Sequence, residues 1–330
     1  MMHRQIGPFQ TSAIGLGCMN LSHAYGTPPS KKEAEVFLNT ALDMGYSMLD
    51  TAALYGFGKN EELIGDSVMH RRHDFVLASK CGMTKNDQGV REINGRPDVI
   101  KKTCEDSLRR LKTEVIDLYY LHRWDKSVPI EESVGAMGEL RREGKIRTLG
   151  LSEVSSASLK KANAEHPIAA VQTEYSLWTR NAEISVLNDC KKMGIAFVAF
   201  SPLGRGFLTD VVPNPDSFEE TDIRKGMPRF QADNYESNVK IADAFSQVSK
   251  QYGMTRAQLS LAWLLSRDDG IIPIPGTTNL NHLKENFSAM DLTLSESVLR
   301  ELDELVNLKT IKGSRYNANT QKEIDTEEFA

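Results

Sequence analysis

Asp50, Tyr55, Lys80 and His122 are the side-chain types that can pass a proton to an oxygen, and their positions suggest that they meet. Three of them end short apolar runs: "SMLD" closes on Asp50, "FVLASK" on Lys80 and "DLYYLH" on His122. Tyr55 follows Asp50 in "LDTAALYGFGKNEELIG", on a stretch that passes through Gly56 and Gly58 before helix-like sequence begins. A tyrosine hydroxyl has an ordinary pKa of about 10 and needs a neighbouring cation to release its proton near neutrality. Lys80 can be that cation, Asp50 can keep the lysine charged and in place, and His122 can hydrogen-bond a carbonyl oxygen beside the hydroxyl. Alone, each residue has an ordinary structural reading; together on neighbouring strand ends they form a set able to protonate an oxyanion.

None of the four is placed to be a nucleophile, so something else must add at the carbonyl carbon, and a hydride donor fits. The usual dinucleotide fingerprint is absent, because "GLGCMN" lacks the third glycine and no ribose-binding acid follows at the expected spacing. A nicotinamide would therefore have to be held by strand ends and loops. Ser152, Gln172 and Glu174 offer polar groups for an amide, Phe200 offers a ring for stacking, and "SPLGRG" offers backbone N–H groups and Arg205 for a pyrophosphate.

Strand ends converge only if the strands share one sheet. Eight β-type runs recur with helical stretches between them, ending at Cys18, Asp50, Lys80, His122, Ser152, Thr173, Ser201 and Pro275. Their spacing leaves room for crossover helices, as parallel strands require. The expectation is α/β: a single (β/α)8 TIM barrel over residues 1–330, with the site at the C-terminal ends of its strands. Helix signals support it. Ser30 and Glu33 make a capping box with Gly45 at the stop, and Thr255 and Gln258 make a second. In "IEESVGAMGELRREGK", Glu131 and Glu132 open the helix and Arg141 and Arg142 close it, complementing the dipole. Ahead of the repeat, "HRQIGPFQTSA" reads as an N-terminal hairpin closing the barrel bottom, and the aperiodic stretch from Pro202 to about Asp233, after strand seven, reads as a long lid loop. The polar tail after Lys309 is expected on the surface or over the mouth, with Asp325, Glu327 and Glu328 solvated.

Bulk properties narrow the partners. The net charge of -5 and the 40% hydrophobic content give no reason to expect nucleic acid or membrane, no apolar stretch suits a membrane span, and a cytoplasmic location is expected. Four scattered cysteines fit neither a disulfide framework nor a zinc site; they are expected to be reduced, with no metal.

An ordered series of motifs adds a resemblance. "LDTAALYG", "ASKCG", "YYLHRWD", "GLSEVS", "VQTEYSLWTR", "FSPLGRGFL" and "IPIPGTTNLNHLKEN" resemble the aldo-keto reductase family, in particular its perakine reductase and pyridoxal reductase relatives. The resemblance implies NADPH-dependent reduction of aldehydes or ketones, with a tetrad of Asp50, Tyr55, Lys80 and His122 and Tyr55 as general acid. It implies that Ser152 and Gln172 bind the carboxamide, that Phe200 stacks on the nicotinamide, and that Ser201, Leu203 and Arg205 line the pyrophosphate channel. Gly276, Thr277, Thr278, His282, Glu285 and Asn286 take the adenosine end. Many relatives carry cations at the positions of Thr278 and His282, where this chain has a threonine and a histidine; the resemblance favours NADP(H), and this departure keeps NAD(H) as the alternative. Glu153 stands where many relatives have asparagine. Trp124 and Trp178 follow strand ends and either wall the substrate pocket or pack loops. Two other functions compete: a nucleotide sensor like the potassium-channel β-subunits, and a lyase using Lys80 as a Schiff base, against which Asp50 argues. Oligomeric state is left open by the sequence.

Overall fold

The computed structural model describes residues 2–86 and 88–329. The chain opens with β1 (His3–Ile6) and β2 (Phe9–Ser12), an antiparallel hairpin turning at Gly7 and Pro8. It then alternates β3 (Leu16–Gly17), α1 (Lys31–Met44), β4 (Met48–Asp50), α2 (Lys59–Ser67) and β5 (Val76–Cys81). A second hairpin, β6 (Met83–Lys85) and β7 (Arg91–Ile93), precedes α3 (Pro97–Leu111), β8 (Ile116–Leu121), α4 (Ile130–Arg142) and β9 (Ile146–Ser152). The second half runs α5 (Ser156–Glu165), β10 (Ile168–Glu174), α6 (Val186–Met193), β11 (Ala196–Phe200), α7 (Ala232–Gln251), α8 (Arg256–Arg267) and β12 (Ile271–Pro273). α9 (Leu280–Ser288), α10 (Glu296–Leu305) and α11 (Ala318–Gln321) complete the chain.

Eight parallel strands form one sheet in the order β12-β11-β10-β9-β8-β5-β4-β3. It closes on itself: Gly15 N donates to the Pro273 carbonyl at 3.0 Å, Gly17 N to the Pro275 carbonyl at 3.3 Å, and Gly17 bridges Gly276 in parallel. This is the expected (β/α)8 barrel. Its interior is filled by Met48, Ala78, Leu118, Tyr120, Ala170, Val198 and Ile272, while a larger apolar layer lies between strands and helices. The first hairpin plugs the bottom, because Ile6 joins that inner cluster and the buried Arg4 guanidinium donates to the Leu265 carbonyl at 2.9 Å. Both expected capping boxes are formed, and Gly45 takes a left-handed φ of 101° at the end of α1.

The lid is a chain of short 3-10 turns between Gly204 and Phe230 rather than an open loop, and α7 begins at its end. Met227 and Phe230 from the lid share a small apolar cluster with Tyr316 and Ile324 from the tail. The tail therefore folds over the mouth, and the expectation of solvated acids fails for two residues. Asp325 accepts from Ser155 N at 3.0 Å and Ser155 Oγ at 2.8 Å, and Glu327 accepts from Ser156 N at 2.7 Å. Both carboxylates dock at the start of α5, where the helix offers N–H groups without intrahelical partners and the positive end of its dipole. Glu328 remains exposed.

Candidate active site

Asp50 closes β4 and Lys80 lies near the end of β5, two adjacent strands, so their side chains meet inside the barrel mouth. Lys80 is wholly buried, with Nζ donating to Asp50 Oδ1, to the Thr51 carbonyl at 2.8 Å and to Tyr55 Oη at 3.4 Å. Asp50 Oδ2 in turn accepts from Gln172 Nε2 at 2.7 Å, so both carboxylate oxygens are engaged. The ammonium lies 5.0 Å from the Tyr55 ring centroid and 5.8 Å from that of Tyr120. Burial alone would favour loss of the Lys80 proton, but Asp50 and Tyr55 outweigh it and leave the pKa raised.

The loop carrying Tyr55 is pinned from below. Gly56 and Gly58 adopt left-handed φ of 56° and 93°, which lets the chain reverse directly after the tyrosine. The first turn of α2 then turns Asn60 and Glu61 inward, an anchoring that sequence reasoning missed. Thr51 Oγ1 donates to Asn60 Oδ1 at 2.6 Å, and Asn60 Nδ2 donates to the Cys18 carbonyl at 2.8 Å. Ser79 Oγ donates to Glu61 Oε1 at 2.6 Å, and Arg110 pairs with its other oxygen at 2.7 Å. These contacts tie the tyrosine loop to the end of β4, which supplies Asp50, and to β5, which supplies Lys80.

His122 follows β8, and its ring meets Tyr55 edge-on with centroids 5.8 Å apart. Burial, with the nearby cations Arg123, Lys80 and Arg91, holds its pKa well below the usual imidazole range, so the ring is neutral at physiological pH. For Tyr55 the balance differs from the expectation of an acidified hydroxyl. Burial raises its pKa and the attraction of Lys80 only partly offsets it, so the hydroxyl keeps its proton. A protonated hydroxyl beside a fixed ammonium is the resting form of a general acid.

Tyr55, His122 and Asp50 open onto a cavity of about 980 Å³, with Lys80 beneath its floor. Ser152, Gln172, Phe200, Ser201, Leu203 and Arg205 line one stretch of it. Gly276, Thr277, Thr278, His282, Glu285 and Asn286 line the far end. The structure thus gathers the residues read from the sequence along one groove, with three exceptions, Trp124, Trp178 and Glu174. Trp178 is buried away from the groove, its ring centroid 3.6 Å from that of Phe207, and Trp124 caps its own loop by donating Nε1 to the Val128 carbonyl at 2.9 Å. Met83 and Arg91 of the β6–β7 hairpin and Tyr316, Asn317 and Glu323 of the tail form the walls instead.

Beside the tetrad lies a second buried charge cluster. Glu174 does not offer itself to an amide; it accepts from Arg205 Nη2 at 2.7 Å and Arg315 Nε at 3.1 Å. Glu153, held at a φ of 57°, accepts from Arg315 Nη2 at 2.6 Å and from Glu174 N at 3.0 Å. Burial would raise the Glu174 carboxyl, but Arg205, Arg315 and Arg229 bring it down to about 2. Arg205 also donates to Tyr316 Oη at 3.1 Å, so the arginine expected at a pyrophosphate is already tied to lid, strand and tail. The four cysteines are free and buried; burial pushes the Cys104 and Cys190 thiols up to about 12. Among the described residues, no helix is long and apolar enough to cross a membrane.

With this geometry in hand, comparison with known proteins is specific. The model of the aldo/keto reductase family matches residues 13–307. The chain is similar to the NADP(+) aldo-keto reductase yakc of Schizosaccharomyces pombe, 41% identical over 95% of this chain and 94% of that protein. Among solved structures, a glycerol dehydrogenase from Gluconobacter oxydans superposes with a TM-score of 0.83 at 27% identity, covering 92% of this chain and 94% of that one. An aldo-keto reductase from Klebsiella pneumoniae in complex with NADPH superposes with a TM-score of 0.72 at 26% identity, covering 96% and 99%.

Proposed function

Because the chain belongs to the aldo/keto reductase family, we propose that it reduces aldehydes or ketones to alcohols with NADPH, Tyr55 giving the proton to the carbonyl oxygen. The observation that carries this reading is the Tyr55 hydroxyl: it faces the groove, keeps its proton, and lies 3.4 Å from an ammonium that Asp50 holds in place.

The groove suits a dinucleotide. Its volume lies at the upper end of the range for small-molecule sites, about 300–1,000 Å³. At the Gly17–Gly276 seam the walls come close: a Cβ on Gly276 would stand 2.8 Å from Asn20 Oδ1, and one on Gly17 would stand 2.8 Å from the Ile274 carbonyl. The buried Asn286 Oδ1 at the far end has no protein partner among the described residues and can accept a donor from a ligand. Ser152 and Gln172 would hold the carboxamide, Phe200 would stack on the nicotinamide, Ser201, Leu203 and Arg205 would line the pyrophosphate, and Thr277, Thr278, His282, Glu285 and Asn286 the adenosine. When bound, NADPH supplies the hydride that adds to the carbonyl carbon.

The protein's own part is electrostatic and protonic. Neutral His122 donates one N–H to the carbonyl oxygen and fixes it against Tyr55 Oη. As the oxygen gains negative charge, Tyr55 releases its proton, and the Lys80 ammonium stabilises the phenolate left behind. Asp50 stops that ammonium from shedding its proton into a dry site, and Gln172 stops Asp50 from turning away.

Steady-state oxidation of NADPH and of NADH over a carbonyl panel that includes para-nitrobenzaldehyde and pyridoxal tests this reading. Turnover of several aldehydes, faster with NADPH, is expected. Tight cofactor binding without turnover of any carbonyl would instead support a nucleotide sensor.

A further inference from the structure

The charged side chains lining the groove are almost all matched. Asp50 pairs with Lys80, Arg205 with Glu174, Arg224 with Asp222, Asp210 with Arg256, and Arg91 with Glu323. Among the described residues, the exceptions are Glu285, at the adenosine end, and Arg123, which has no carboxylate within ion-pair distance. Arg123 is half-buried and directly follows His122. Its Nη1 donates to the His122 carbonyl at 2.7 Å and to Ser152 Oγ at 3.2 Å, which places the guanidinium beside the tetrad. Its remaining N–H groups make no protein hydrogen bond among the described residues.

An arginine held beside a reaction centre without a counter-ion raises the question of which anion it is meant to meet. The cofactor's phosphates belong elsewhere on the reading above, near Arg205 and at the Thr278–His282 end. Of the acids lining the groove, Glu323 already meets Arg91 at 2.5 Å, and both Asp50 oxygens are taken by Lys80 and Gln172. A substrate anion is left. A guanidinium fork matches a carboxylate with two parallel hydrogen bonds, and in a partly dry groove such charge-assisted bonds orient as well as bind.

We propose that Arg123 receives a carboxylate of the substrate, so that the preferred substrates are aldehydes or ketones carrying a carboxylate within a few bonds of the carbonyl. Such an acid would be held at one end by the guanidinium and at the other by Tyr55 and His122, which fixes the face of the carbonyl that is presented. Arg91 strengthens the field at this end of the groove, and Glu323 limits it to one net cation. The inference rests on the carbonyl-reductase reading and specifies its substrate class.

Two aldehydes of nearly the same shape separate this role from a structural one: para-carboxybenzaldehyde and its neutral counterpart para-nitrobenzaldehyde. On Arg123→Gln, the ratio of their kcat/KM values, carboxylated over neutral, should fall by about 10- to 100-fold, chiefly through KM, as expected for losing hydrogen bonds to a charged group. Arg123→Lys should restore part of the ratio. If Arg123 only props Ser152, both aldehydes suffer alike, and a ratio within about twofold of the parent's overturns the proposal. Calorimetric binding of benzoate to the NADPH-loaded protein gives a readout that needs no turnover. Arg123→Gln should weaken it at least tenfold, and unchanged binding overturns the proposal. A protein that reduces no aldehyde yet binds benzoate through Arg123 would contradict the reductase reading and leave the anion site standing.

Discussion

Two buried charge clusters share the mouth of this barrel, and they do different things. In one, Asp50 and Lys80 neutralise each other and leave a third group, the Tyr55 hydroxyl, facing the groove. In the other, Glu153, Glu174, Arg205 and Arg315 consume their charges among themselves and hold β9, β10, the lid and the tail together. Both are dry, and both displace pKa values strongly. Buried charge alone therefore does not mark chemistry; what sets the first cluster apart is a hydroxyl on a residue that lines the groove, the group proposed above as the proton donor.

Substitution of the two cations should separate the clusters. Lys80→Met leaves Asp50 buried without its ion-pair partner, costing about 3–5 kcal/mol of stability, and on the proposed mechanism also removes the charge that would stabilise the Tyr55 phenolate. Loss of both melting temperature and essentially all carbonyl turnover is expected; retained turnover would mean that the ammonium has no part in the proton transfer. Arg315→Met should cost a similar share of stability, because Glu153 loses its partner, but the loss should appear as release of the tail. Limited proteolysis after residue 309 should accelerate, and a tail that stays protected would show that the apolar contacts of Tyr316 and Ile324 suffice.

The second cluster also has a pH signature. Glu174 has a folded pKa depressed to about 2, below the unfolded value of about 4.3. A depressed carboxyl contributes stability that is present above the unfolded pKa and is lost as pH falls toward the folded one. Acid titration should therefore destabilise the protein between about pH 4.3 and pH 2, and Arg315→Met, by raising the folded pKa of Glu174, should make that loss smaller and complete it at a higher pH. The smallest effect belongs to the far end of the groove. Thr278→Arg should move the NADPH/NADH ratio of kcat/KM toward NADPH by about tenfold, since a guanidinium can pair with the 2′-phosphate. An unchanged ratio would remove Thr278 from the adenosine site.

The same comparison explains what the sequence makes legible. Asp50, Lys80 and His122 stand at or next to the ends of short apolar runs, and in a parallel barrel strand ends meet by construction, so their convergence follows from the pattern. Arg315 and Glu153 lie 162 residues apart, and no local spacing connects a polar tail with a strand-end acid. The Asp325 and Glu327 docking at α5 was hidden for the same reason: the sequence shows the carboxylates but not which helix start they reach. Asn60 and Glu61 were hidden differently, because polar residues in a first helical turn ordinarily face solvent, and here the tight reversal at Gly56 and Gly58 turns them inward. The β6–β7 hairpin did carry a signal, with Asn86 and Gly89 between two short runs, yet it interrupts the strand–helix rhythm and was masked by it. Trp124 and Trp178 show the converse, since bulky aromatics near strand ends invite a pocket role that their packing does not give them.

Tyr55→Phe, with turnover and cofactor affinity measured on the same preparation, bears most directly on the central claim. The substitution removes one oxygen and leaves the ring, the loop and the groove in place. Carbonyl reduction should fall by at least about 10²–10⁴-fold, the usual contribution of a positioned general acid, while NADPH binding followed by fluorescence stays close to that of the parent. Turnover at the parent rate would contradict the assignment of Tyr55 as the proton donor.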